Sequence, residues 1–104
     1  LEGIEVQARD SYERTQRLME LRRDYEQRYP HQKTSHRLAR GVFDMPYFTA
    51  NDVQDEFDVS RQTAYNAIEE LVSDGVLVEA TGKQRNQEYK AIDIFDILER
   101  RSDN

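Results

Sequence analysis

The sequence predicts a mainly α protein with a small β-hairpin: a long N-terminal helix, a winged helix-turn-helix and a C-terminal helix. Three observations predict it. Residues 2–29 hold no proline and carry apolar side chains at intervals of three and four. Residues 49–75 contain two helical patterns, each opened by its own capping residue and separated by a short turn. From residue 76 the period shortens, and two strand-like segments flank a loop that begins at Gly82.

In the first segment, Ile4, Ala8, Tyr12, Thr15, Leu18, Met19, Tyr25 and Tyr29 form a semi-apolar stripe. The other faces place an acid four residues before a base: Glu5 with Arg9, Asp10 with Arg14, Glu13 with Arg17, Asp24 with Arg28. That order is the favourable one, contributing about 0.2–0.5 kcal/mol per pair. Pro30 ends the helix. The expected division is a linking helix, 1–30, and a winged helix-turn-helix domain, 31–104.

The stretch 31–36 reads as a polar joint, with Ser35 as N-cap of a short helix bearing Leu38, Ala39, Val42 and Phe43. Pro46 breaks that helix, and "DMPYFT" reads as a short extended piece. Thr49 opens the next helix, with Asp52 completing a loose capping box, and this helix buries Val53 and Phe57. Asp58 and Val59 make a tight turn. Ser60 caps a helix that runs to Asp74, where Gly75 supplies the left-handed stop. Segments 76–81 and 87–91 have strand character around the loop "GKQRN". Residues 92–101 close the chain as a helix, with Asp93 near its start and Arg100 and Arg101 at its end, as the helix dipole favours.

Composition bounds the function. The chain has 104 residues and no cysteine, which excludes a disulfide framework and thiolate metal sites and fits a reducing cytoplasm. No apolar run approaches the roughly 20 residues of a membrane span. There is no initiator methionine, and the opening residues look helical already, so a fragment of a longer protein is expected. Acids outnumber bases by 21 to 15. Three of the bases are lysines and 12 are arginines, a balance that points to a salt-adapted source. Phosphate attraction needs a basic face, so any nucleic-acid contact must be local.

On a helical wheel of residues 59–77, Ala64, Ala67, Ile68, Leu71 and Val72 share the core face, while Gln62, Asn66, Glu69 and Ser73 lie opposite. The N-terminal half of a recognition helix meets base edges in the major groove. Here that half offers Arg61, Gln62, Thr63, Tyr65 and Asn66, and glutamine and asparagine suit adenine. The acids Glu69, Glu70 and Asp74 come later. Lys83, Arg85 and Asn86 on the loop are placed to hold backbone phosphate. A second reading stays open: an ordinary surface helix on a domain that binds protein, docking a neighbouring domain or a target, or pairing with a second copy through the long helix.

Other chemistry has little support. His31 and His36 lack a third ligand. Asp52, Asp55, Glu56 and Asp58 lack calcium-loop spacing and read as a solvated face. No nucleophile–base arrangement or glycine-rich phosphate loop is visible, so no active site, cofactor or metal is expected within these residues.

The string from "LEGIEVQARDSYERTQRLMELRRDYEQRY" through "VSRQTAYNAIEELVSDGVLVEATGKQRNQEYKA" resembles the C-terminal region of long Fic-family proteins. The features that carry the resemblance are "LEGI..QA", "VS..TA..AI..L...GVL.E.TG..RN..Y" and the closing "IFDIL". The resemblance implies a parent protein that transfers AMP to a protein hydroxyl, with the catalytic domain preceding a linking helix and a winged helix-turn-helix. The family's His-Pro-Phe-x-x-Gly-Asn-Gly-Arg signature is absent, so no catalytic residue carries over. The implied partners are the Fic catalytic domain and duplex DNA.

Overall fold

The structure, a computed structural model, describes residues 2–82 and 87–99, with side chains from Ser11 onward. The order is α1 (Glu2–Arg28), α2 (Thr34–Gly41), β1 (Tyr47–Thr49), α3 (Ala50–Phe57), α4 (Arg61–Ser73), β2 (Leu77–Glu79), β3 (Glu88–Ala91) and α5 (Ile92–Glu99). The fold is mainly helical with a small antiparallel sheet. At 1.5 Å per residue α1 is about 40 Å long, which accounts for most of the 52 Å long axis.

Helices α2, α3 and α4 pack together, α1 lies against α2 and α5, and the sheet covers the end of α4. The core comprises Leu38, Ala39 and Val42 of α2, Val53 of α3, Ala64, Ala67, Ile68 and Leu71 of α4, and Leu77, Tyr89 and Ala91 of the sheet. Tyr25 and Tyr29 join it from the last turns of α1. Only those turns are deeply buried; Tyr12 and Met19 of the same stripe remain 65% and 48% exposed.

The extended piece after Pro46 becomes the third strand of the sheet. The strand order is β1-β3-β2, both pairs antiparallel, with Phe48 opposite Tyr89 and Leu77 opposite Ala91. Neither strand of the hairpin reaches its expected start: Val76 instead donates its N–H to the Leu71 carbonyl at 2.9 Å, closing the end of α4.

The caps mostly match the sequence. Thr49 and Asp52 form a reciprocal capping box at α3. Ser60 accepts from the Thr63 N–H at 3.1 Å, and Gly75 has φ 81°. Three expectations are corrected. Ser35 is not a cap: the Lys33 N–H turns back to the Pro30 carbonyl at 3.1 Å, so α2 starts at Thr34 and rotates Ser35 inward, 2% exposed. Val72 is 38% exposed because it sits at the edge of the apolar arc of α4, where no element among the described residues covers it. Phe57 is half-buried, packed against Gly41 and under the Arg37 guanidinium, 5.1 Å from its ring centre. Among the acid–base pairs of α1, Asp24 and Arg28 meet at 2.7 Å, as expected. Arg22 and Glu26, in the reverse order, also pair at 3.2 Å.

Candidate nucleic-acid interface

The turn between α3 and α4 consists of Asp58, Val59 and Ser60. Asp58 adopts a left-handed conformation, φ 53° and ψ 53°, and its N–H closes α3 on the Gln54 carbonyl. Aspartate tolerates this region better than most side chains do. The reversal aims the first turn of α4 outward, with Ser60 satisfying the Thr63 N–H and also donating its hydroxyl to Thr63 Oγ1 at 2.9 Å.

Of the five residues expected to face a groove, Arg61, Gln62 and Asn66 are exposed, and Thr63 and Tyr65 are half-buried. Gln62 Nε2 donates to Asn66 Oδ1 at 2.8 Å. These two amides, one turn apart, therefore leave a free acceptor on Gln62 and a free donor pair on Asn66. Arg61 stacks its guanidinium 5.6 Å from the Tyr65 ring centre, which holds an otherwise floppy cation against the surface.

The acids of α4 are mostly engaged elsewhere. Asp74 accepts from the Tyr29 hydroxyl at 2.8 Å. Glu70 lies 3.7 Å from Lys33 Nζ. Of these three acids, Glu69 alone has neither a hydrogen-bond nor an ion-pair partner among the described residues.

The base of the wing is built around Glu79. Its carboxylate accepts from the Gly82 N–H at 2.6 Å, from the Thr81 N–H at 2.5 Å and more loosely from the Thr81 hydroxyl. These donors, Gly82 foremost, hold the carboxyl below the usual range. The three wing residues expected at the phosphate backbone, Lys83, Arg85 and Asn86, lie outside the described residues, as do Arg100 and Arg101. Lys90 of β3 is drawn away from the interface, 4.7 Å from the Phe95 ring centre.

The sequence reading missed Lys33 and Glu79. An acid followed closely by Thr-Gly is a signal that could have found Glu79, since both amides of that turn need an acceptor. For the histidines, the rings of His31 and His36 pack at a tilt of 52°, with centres 4.4 Å apart. His36 Nδ1 is 2.9 Å from the Tyr29 carbonyl and therefore carries its proton there. No group of three metal-ligating side chains occurs among the described residues, and no helix there is long and apolar enough to cross a membrane.

Residues 44–84 match a helix-turn-helix (HTH) domain family. The match covers β1, α3, the turn, α4 and β2. A helix-turn-helix is a DNA-binding fold and not a catalytic one. No curated protein matches the chain.

Proposed function

We propose that this chain is an accessory winged-helix domain that binds duplex DNA weakly and regulates transcription, with α4 in the major groove. The observation that carries the reading is the N-terminal half of α4: exposed, free of acids, and bearing amides already joined to each other. The free acceptor of Gln62 and the free donors of Asn66 complement the N6 donor and N7 acceptor of adenine. Arg61, Thr63 and Tyr65 flank them, and Lys83, Arg85 and Asn86 hold backbone from the wing. The resemblance of the whole chain to the tails of Fic-family proteins supports a parent that transfers AMP, with α1 as the linking helix of residues 1–30 and the catalytic domain as a partner. The lysine-poor, acidic composition fits a salt-adapted source.

The test is fluorescence anisotropy with the promoter of the parent gene across a salt series. Gln62→Ala and Asn66→Ala are expected to weaken specific binding by about 1–3 kcal/mol each and to leave non-specific binding unchanged. If both variants bind every duplex as the wild type does, α4 is not the reading surface.

A second reading rests on a different observation. Leu18 and Met19 of α1, Phe43, Pro46, and Ile94 and Leu98 of α5 line an apolar hollow of about 280 Å³. It suits a protein partner, such as a catalytic domain or a second copy. Light scattering and co-purification with the separately expressed catalytic domain distinguish it: a monomer that ignores that domain defeats it.

A further inference from the structure

Helix α1 has 27 residues, while α2 and α5, the helices packed on it, have 8 each. It therefore overhangs the rest of the fold. Thr15 is the first described side chain of α1 to line the apolar hollow beside α5, and before it Ser11, Tyr12 and Glu13 are exposed. A helical stretch shorter than about 12–15 residues is marginal in water without tertiary support. The face around the hollow is self-complementary in two ways. In shape, a recess of about 280 Å³ over Leu18, Phe43, Pro46 and Ile94 adjoins a ridge formed by Tyr12 and Met19, two turns apart on one side of α1. Tyr12, Met19 and Leu98 are three of the six large hydrophobic side chains exposed among the described residues, so exposed apolar surface concentrates here. In charge, residues 11–23 of α1 carry four arginines against two glutamates, whereas α5 carries Asp93, Asp96 and Glu99 and no base. All three acids are exposed, and none has an ion-pair partner among the described residues.

We infer that this face docks a second copy of the chain about a twofold axis, with Tyr12 and Met19 of each copy over the hollow of the other and the α1 arginines of each beside the α5 acids of the other. The inference rests on the reading of the hollow as a protein-binding surface, and it names the partner. A twofold dimer needs one patch that fits itself. A cationic helix and an anionic helix side by side supply it, because the rotation sets each against its opposite in the second copy. The overhanging part of α1 then gains the support that its own fold does not give it. None of the residues lining the hollow belongs to α4, so two copies joined here each keep their own α4 clear of the recess.

Light scattering of the whole chain over a concentration series tests this. The expected mass is that of two chains at high concentration, falling to one on dilution. Met19→Asp and Leu98→Asp, both at exposed positions, are expected to lose the two-chain species while helical circular dichroism stays unchanged. Two charge-reversed chains give a sharper test: Arg14→Glu with Arg22→Glu in one, Asp96→Lys with Glu99→Lys in the other. Each should be a monomer alone, and the two should pair when mixed, because mixing restores opposite charges across both halves of the interface. A chain that has merely lost its fold cannot recover in this way. A dimer that persists in Met19→Asp and Leu98→Asp, or charge-reversed chains that do not pair on mixing, overturns the inference. A wild type that stays a monomer but binds the separately expressed catalytic domain overturns the second copy alone. A monomer that ignores that domain overturns the reading of the hollow with it.

Discussion

Tyr29, the residue after α1, is 3% exposed and donates its hydroxyl to Asp74, 45 residues away at the far end of α4. Its backbone carbonyl accepts a hydrogen bond from His36 Nδ1–H. One residue thus fixes the end of α1 to both α2 and α4. Tyr29→Phe removes the hydroxyl but keeps the ring, and is expected to lower stability by about 1 kcal/mol, read as a fall in the urea midpoint at unchanged slope. Burial raises the phenols of Tyr25 and Tyr29 well above their ordinary value, helped at Tyr29 by Asp74. A folded value raised above the unfolded one stabilises fully below the unfolded value, here about 10, and that stability is lost as pH rises beyond it. Alkaline unfolding should therefore begin above pH ~10, and Tyr25 and Tyr29 should ionise last of the six tyrosines in an ultraviolet titration. Tyr29→Phe should move that unfolding to higher pH.

At the scale of elements, the caps decide where each helix begins. Thr49→Ala breaks the capping box of α3 and should cost about 1 kcal/mol, measured by thermal or urea unfolding, because the Asp52 N–H loses its acceptor, Thr49 Oγ1. Helices α3 and α4 were legible in the sequence because local chemistry fixes them: Thr49 and Ser60 at their starts, Asp58 and Gly75 at their ends, an apolar arc between. Less legible was whatever tertiary contact decides. Pro46 and the residues after it mark "YFT" as extended, but only its pairing with β3 makes it a strand of the sheet. Ser35 resembles a cap in sequence, yet the turn at Pro30 starts α2 before it. The Gln62–Asn66 bond was implicit in their spacing of four, but which atoms remain free depended on rotamers. Lys33 is distant in sequence from α4, so its place beside that helix was invisible until α2 packed there.

Over the whole molecule, charge sets the limit. The net charge is −6, which gives no long-range attraction to DNA, so the proposed duplex binding requires a short-range surface from which acids are kept away. Asp74 and Glu70 are tied to Tyr29 and Lys33, and Glu79 is turned into the base of the wing by the Gly82 and Thr81 amides. Leu71 holds this arrangement from the centre of the core, 0% exposed. Leu71→Ala should cost about 2–5 kcal/mol and abolish duplex binding only through unfolding, seen as a matching loss of helical circular dichroism. The most direct measurement is an amide chemical-shift map of the labelled chain titrated with a duplex. If α4 reads DNA, shifts concentrate at residues 61–66, and the apolar hollow between α1 and α5 stays unmoved. Shifts confined to that hollow, or none at saturating duplex in low salt, would contradict the account.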